Sequence, residues 1–304
     1  MSPDRPNSTR LSILLPFALI TLIWGSTWIV IADQIGVVPP QWSVAYRFLV
    51  AGFVMAAVAI ARREPWPSGR RGLGFAAVVG LLQFCSNFNF VYQAERYITS
   101  GLVAVVFALI LIPNALFGRV FLGQRLGRQL LIGSGIAMAG IALLFAHEAR
   151  VDPSGPGRVM LGIGLTLVAV LSASISNVMQ GTATARSLPT TSMLAVAMLF
   201  GAGLDAVLAY AMTGPPQFEP RLGYVVGILY LGALASALAF TLYFRIIQVI
   251  GPAKAAYSSV IVPVIAMLLS TLFENYRWSA LAAAGGAVTA AGLVVALTAR
   301  RPNR

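Results

Sequence analysis

The sequence predicts an all-α integral membrane protein, with ten transmembrane helices built from two inverted five-helix repeats. Three observations carry this. The 304 residues are 58% hydrophobic and only 10% charged, too few charges to cover a soluble surface, which usually carries about 25%. The apolar runs have the length of a bilayer crossing, roughly 17–25 residues. The two halves of the chain echo each other at an offset of about 152 residues.

The spans fall at 11–32, 41–61, 73–93, 98–118, 129–147, 157–180, 191–212, 223–247, 253–273 and 278–299. The first begins after Arg5 and Arg10 and resembles a signal peptide. Its length and the lack of a small-residue cleavage site make it a retained helix. The breaks carry turn chemistry: Gly36 to Pro40, Pro65 to Gly69, Pro153 to Gly157, Gly214-Pro215-Pro216 and Gly251-Pro252. Counted on alternating sides, Lys and Arg number fifteen on the side of the two termini and five on the other, with Arg47 inside a span. That bias places both termini in the cytoplasm. It also explains the net charge of +12 without nucleic acid, which is not an expected partner; the lipid bilayer is.

The repeat divides the chain into 1–152 and 153–304. Gly80, Leu82 and Phe88 match Gly232, Leu234 and Phe240; Phe121 and Arg125 match Phe273 and Arg277; Gly133 and Gly140 match Gly285 and Gly292. Five spans is an odd number, so the second half enters from the opposite face. Inverted repeats of this kind build alternating-access transporters around a site near mid-membrane.

Polar residues inside apolar segments mark that site. In the third span Gln83, Ser86, Asn87, Asn89 and Gln93 fall within an arc of roughly 160°, interleaved with Phe84, Phe88, Phe90 and Tyr92. An unpaired amide in lipid is costly, so the face turns either to a wet cavity or to an interhelical hydrogen-bond network. Trp24, Thr27 and Trp28 in the first span, and Ser176, Asn177 and Gln180 in the sixth, are candidates for facing walls. Phe240 and Tyr243 in the eighth span and Tyr257 opening the ninth add an aromatic surface suited to aromatic or apolar amino acids. Pro113 and Pro263 interrupt the fourth and ninth helices as kinks or gates. Arg47 and Asp205 are the notable intramembrane charges: Arg47 is a candidate for a substrate carboxylate and Asp205 for an amino group or a proton, and a mutual ion pair and simple snorkelling are the alternatives. Glu95 and Arg96 read as an external-loop pair. The seven-residue spacing of Gly133/Gly140 and Gly285/Gly292 assigns the fifth and tenth helices to packing.

Enzymatic chemistry has no support: no nucleophile–base pair, no Walker A motif and no metal-ligand set appears around the single Cys85 or the single His147. No cofactor and no metal is expected.

Trp24-Gly25-Ser26-Thr27-Trp28 and Phe121-Leu122-Gly123-Gln124-Arg125-Leu126 resemble the first helix and the fourth-helix end of the EamA-type family of the drug/metabolite transporter superfamily, although Gln124 replaces the usual acid. The second half keeps only Phe273-Glu274-Asn275-Tyr276-Arg277. Within the family the Asn/Gln/Phe-rich third helix is most similar to bacterial YddG-type exporters of aromatic and other neutral amino acids. The resemblance implies a multi-pass exporter of the bacterial inner membrane, with a cavity formed mainly by helices 1–4 and 6–9; the oligomeric state is left open, a monomer being one option. The rival readings are a broad drug or toxic-cation exporter and, less directly, a channel.

Overall fold

The computed structural model describes residues 6–124, 128–151, 155–256 and 258–297. Helices occupy all ten apolar segments, and we number them α1 (Pro6–Gln34), α2 (Pro40–Ala61), α3 (Gly69–Ala94), α4 (Ser100–Leu122), α5 (Arg128–Val151), α6 (Pro156–Gln180), α7 (Thr190–Thr213), α8 (Leu222–Ile250), α9 (Ser258–Phe273) and α10 (Ala280–Leu297). Seven described helices are long and apolar enough to cross a membrane: α1 to α4 and α6 to α8. The apolar stretches of the other three are shorter, at Ile132–Leu144, Ile261–Phe273 and Ala280–Val295.

The ends are set by residues that cannot continue a helix. Pro40 and Pro156 open α2 and α6 at the first turn, where a missing N–H costs nothing. Gly123 closes α4 in the left-handed conformation, which glycine adopts without strain. Gly251, also at positive φ, separates α8 from a short helix, Pro252–Ala255.

The packing respects the repeat. The most extensive contacts join α5 to α10 and α2 to α7, each helix with its counterpart in the other half. The remaining main contacts come in matched pairs: α1 with α9 and α6 with α4; α3 with α6 and α8 with α1; α7 with α3 and α2 with α8. Exchanging the halves therefore maps these main contacts onto one another.

The same exchange relates two local irregularities. The α3 backbone widens into π-helical turns at Gly80–Ser86, and α8 does so at Tyr230–Leu238. A Cβ on Gly80 would strike the Ala197 carbonyl of α7, and one on Gly232 would strike Val50 and the Arg47 carbonyl of α2. Glycine at both positions lets α3 and α8 lie directly against the backbone of the helix pair α2–α7.

Large apolar side chains such as Leu15, Leu22, Phe53, Ile60, Val120 and Val207 face outward, whereas Arg47, Gln83, Asn87, Asn177, Gln180 and Asp205 are buried. This is the distribution expected where lipid replaces water as the solvent.

Candidate functional site

A cavity of about 90 Å³ lies at the centre of the bundle, lined from α1, α2, α3, α4, α6, α8 and α9. It has room for a handful of water molecules, so a larger solute enters only as the helices part. Its aromatic wall is made of two groups of rings. The Trp24 ring packs against Phe240 and Tyr243 at 5.2 and 4.8 Å between centroids, Phe240 meets Phe88 at 6.2 Å, and Trp28 meets Phe107 at 5.7 Å. Trp24 is anchored by its indole N–H, which donates to the Ala235 carbonyl at 3.0 Å. That carbonyl belongs to the π-helical turns of α8, where the usual ladder is loosened and a side chain can take up a backbone acceptor.

Arg47 projects from α2 into this cavity and is 1% exposed. Its Nε donates to Ser236 Oγ at 2.9 Å, and its guanidinium sits 4.2 Å above the Phe88 ring centroid. Nη1 is buried with no hydrogen-bond partner. The described salt bridges join Arg221 to Asp33 and to Glu219; none reaches Arg47, and the mutual ion pair of Arg47 with Asp205 is not formed. Among the described residues no Asp or Glu lines the cavity. The cavity thus carries an unbalanced positive charge in an apolar surround, a costly arrangement unless an anion arrives to share it.

Around that charge lie unsatisfied amide oxygens: Gln83 Oε1, Asn87 Oδ1 and Asn177 Oδ1 are all buried without partners. Asn87 Nδ2 donates to the Gln83 carbonyl at 3.3 Å, which leaves Oδ1 as the free end. The Trp28 indole N–H is a further buried donor without an acceptor. The cavity offers an aromatic wall, one fixed cation and three acceptors.

Of the residues singled out in the sequence, Trp24, Thr27, Trp28, Arg47, Gln83, Asn87, Asn177, Phe240, Tyr243 and Pro263 line this cavity. Ser86, Asn89 and Gln93 line a different pocket, of about 790 Å³, at the end of the bundle carrying the α1–α2 connection. An arc of 160° is wider than one wall, so α3 serves two spaces. Ser86 Oγ lies 3.0 Å from Ser172 Oγ and ties α3 to α6. Tyr92 is buried and donates to Gln34 Oε1 at 3.1 Å, outside both linings. Ser176 and Gln180 are buried in α6 away from the lining, with unpartnered polar atoms. Asp205 is fully buried and accepts a 2.6 Å hydrogen bond from Asn89 Nδ2. Pro113 follows a tighter 3-10 turn, Ala108–Ile110, within α4, the adjustment expected where a proline removes a helical donor. Tyr257 lies outside the described residues. Sequence reasoning missed Phe107, Ala104, Ala108 and Val262 as lining residues, because an apolar residue in an apolar helix gives no signal of which way it faces.

The profile of the EamA-like transporter family matches residues 11–146 and again 160–298. The chain belongs to the EamA-like transporter family. It is 30% identical over 257 residues to YedA of Escherichia coli strain K12, described as an uncharacterised inner membrane transporter, across 84% of this chain and 80% of YedA. It is 24% identical over 275 residues to PagO of Salmonella typhimurium, across 89% of this chain and 88% of PagO. A crystal structure 23% identical in sequence superposes with a TM-score of 0.69, covering 96% of this chain and all of that one, so the two share a fold. As an EamA-like protein the chain is a membrane transporter of small molecules and not an enzyme.

Above the cavity this EamA-like chain carries a charge arrangement that differs from the expected Glu95–Arg96 pair. Arg96 donates to Gln93 Oε1 at 3.1 Å. Both Glu95 carboxylate oxygens are buried without hydrogen-bond partners. Burial, and then the neighbouring Glu274, push the Glu95 carboxyl well above its ordinary range, against a smaller opposing effect of Arg47. Glu274 itself caps α4 by accepting from the Ser100 hydroxyl at 2.5 Å. A carboxyl held above its unfolded value keeps a proton in the fold that the unfolded chain has released. Its stabilising contribution is therefore complete below the ordinary glutamate range and is lost as pH rises towards the raised value. Melting temperature in detergent is expected to fall as pH rises through that window, and Glu95→Gln is expected to flatten the profile. An unchanged profile in Glu95→Gln would show that another group carries the dependence.

Proposed function

We propose that the chain exports aromatic and other neutral amino acids, or similar small metabolites, across the bacterial inner membrane by alternating access. The observation that carries this reading is Arg47: a buried guanidinium in an aromatic cavity, with no described ion-pair partner and with Nη1 free, is suited to a substrate carboxylate. The free oxygens of Gln83, Asn87 and Asn177 supply acceptors for an ammonium group, and Trp24, Phe88, Phe240 and Tyr243 supply a surface for an apolar side chain. In this reading α5, α9 and α10 complete ten spans in two inverted halves, 1–152 and 153–304, with both termini cytoplasmic. The matching of the main helix contacts on exchange of the halves and the double match to the family profile support it, and the inner-membrane description of YedA supports the location. Pro113 and Pro263 are placed as hinges of the paired helices α4 and α9.

The unbalanced charge of Arg47 also weighs against a broad exporter of toxic cations, because a cation in that cavity meets repulsion with no carboxylate to offset it. Competition in proteoliposomes, using phenylalanine, tryptophan, threonine and a lipophilic cation such as tetraphenylphosphonium, tests the reading. The amino acids are expected to compete for uptake and to drive counterflow, and the cation is expected to do neither. Competition by the cation alone would overturn the proposal in favour of the drug-exporter reading.

A further inference from the structure

A second polar site lies apart from the central cavity, and we infer that it takes a proton at Asp205, making transport responsive to a pH gradient. Asp205 sits within α7 and is 0% exposed. Its Oδ1 accepts from Asn89 Nδ2 at 2.6 Å, and its Oδ2 is buried with no partner. Among the described residues no salt bridge reaches it. A buried acid without a counter-charge needs a positive partner from elsewhere.

Its surroundings decide which partner. From α3 it meets Asn89 and the Cys85 thiol, with Tyr92 one turn beyond. From α2, which packs along α7, the charged residue is Arg47, whose guanidinium is instead turned to Phe88 and Ser236. The hydrogen-bonded surroundings of the carboxylate add two oxygens, Asn89 Oδ1, itself unpartnered, and the Cys85 carbonyl already bound by Asn89 Nδ2 at 2.9 Å, and among the described residues no three His, Cys, Asp or Glu side chains are grouped to hold a metal. A hard metal cation calls for about six oxygen ligands, and this set falls short. A proton needs one.

Access and coupling follow from α3. Cys85 and Asn89 both line the 790 Å³ pocket at the α1–α2 end, so one layer of side chains separates Asp205 from that space. The same helix presents Gln83 and Asn87 to the central cavity. Gln83 and Cys85 both lie in the π-helical turns Gly80–Ser86, a departure from the α-helical ladder of the kind that recurs at functional sites. A change at the Asp205–Asn89 junction therefore shifts the residues that face the substrate.

Two measurements test this. Infrared difference spectroscopy of the purified protein in a Glu95→Gln background, without substrate, is expected to show a protonated carboxyl band that is lost in Asp205→Asn and shifted in Asp205→Glu. A spectrum unchanged by either substitution at every pH would overturn the proposal. In proteoliposomes, an imposed pH gradient is expected to drive accumulation by the unsubstituted protein, whereas Asp205→Asn exchanges substrate without accumulating it. Equal gradient-driven accumulation by both proteins would also overturn it. The infrared reading uses no substrate, so failure of the amino-acid proposal and failure of this one are distinguishable.

Discussion

Arg47→Gln is expected to weaken binding of a carboxylate substrate by on the order of 100-fold while leaving the folded protein at least as stable. The two effects have one cause. Arg47 holds a buried charge whose Nη1 has no partner, so the empty protein carries a desolvation cost that the substrate carboxylate relieves. Truncating one side of a buried, hydrogen-bonded charge pair typically costs about 2–5 kcal/mol of affinity. Removing the charge from the empty protein removes that cost with it. Arg47→Lys is expected to fall between, at about a 10-fold loss, because lysine keeps the charge but gives up the planar stack on Phe88 and the Nε bond to Ser236. Affinity by calorimetry and melting temperature, measured on the same preparations, separate lost recognition from misfolding. An amino-acid methyl ester, which lacks the carboxylate, is expected to bind the unsubstituted and Arg47→Gln proteins alike. Equal loss for the acid and the ester would show that Arg47 shapes the cavity and does not read the carboxylate.

The helical segments were legible because hydrophobic length and proline/glycine breaks are properties of the chain itself. The cavity was legible only in part. Gln83 and Asn87 stand out because an amide in a span must face something polar. The same rule flagged Asn89 and Gln93 without saying that they face a different pocket. That division depends on how α3 is held between α6 and α7, and the π-helical turns at Gly80–Ser86 alter the periodicity on which a face is read. The pairing of charges was less legible still. Arg47 and Asp205 are fully buried charges in α2 and α7 for which a mutual pair was one alternative, yet each is held by a neutral group, Ser236 and Asn89. Glu95 beside Arg96 looked like a pair because adjacency in sequence says nothing about direction: the carboxylate turns inward while Arg96 stays exposed.

Gly292→Leu is expected to destabilise the protein by about 3 kcal/mol, the upper end of ordinary overpacking, without changing the affinity of the molecules that remain folded. A Cβ at Gly292 would lie 2.6 Å from the Gly133 carbonyl and against the Ala137 amide; one at Gly140 would lie 2.6 Å from the Gly285 carbonyl. These neighbours are backbone, so no side-chain rotation relieves the overlap, and the α5–α10 pair must separate. In lipid no hydrophobic drive holds two apolar helices together, and close backbone approach supplies the contact. Gly135→Ala provides the control, because a Cβ there meets nothing within 4 Å. Exchanging glycine for alanine in a helix interior removes a conformational cost of about 1 kcal/mol. Melting temperature is therefore expected to drop sharply for Gly292→Leu and to hold or rise for Gly135→Ala. Neither α5 nor α10 lines the cavity, so a loss of affinity in folded Gly292→Leu would mean that this pair takes part in transport and is not only a packing seam.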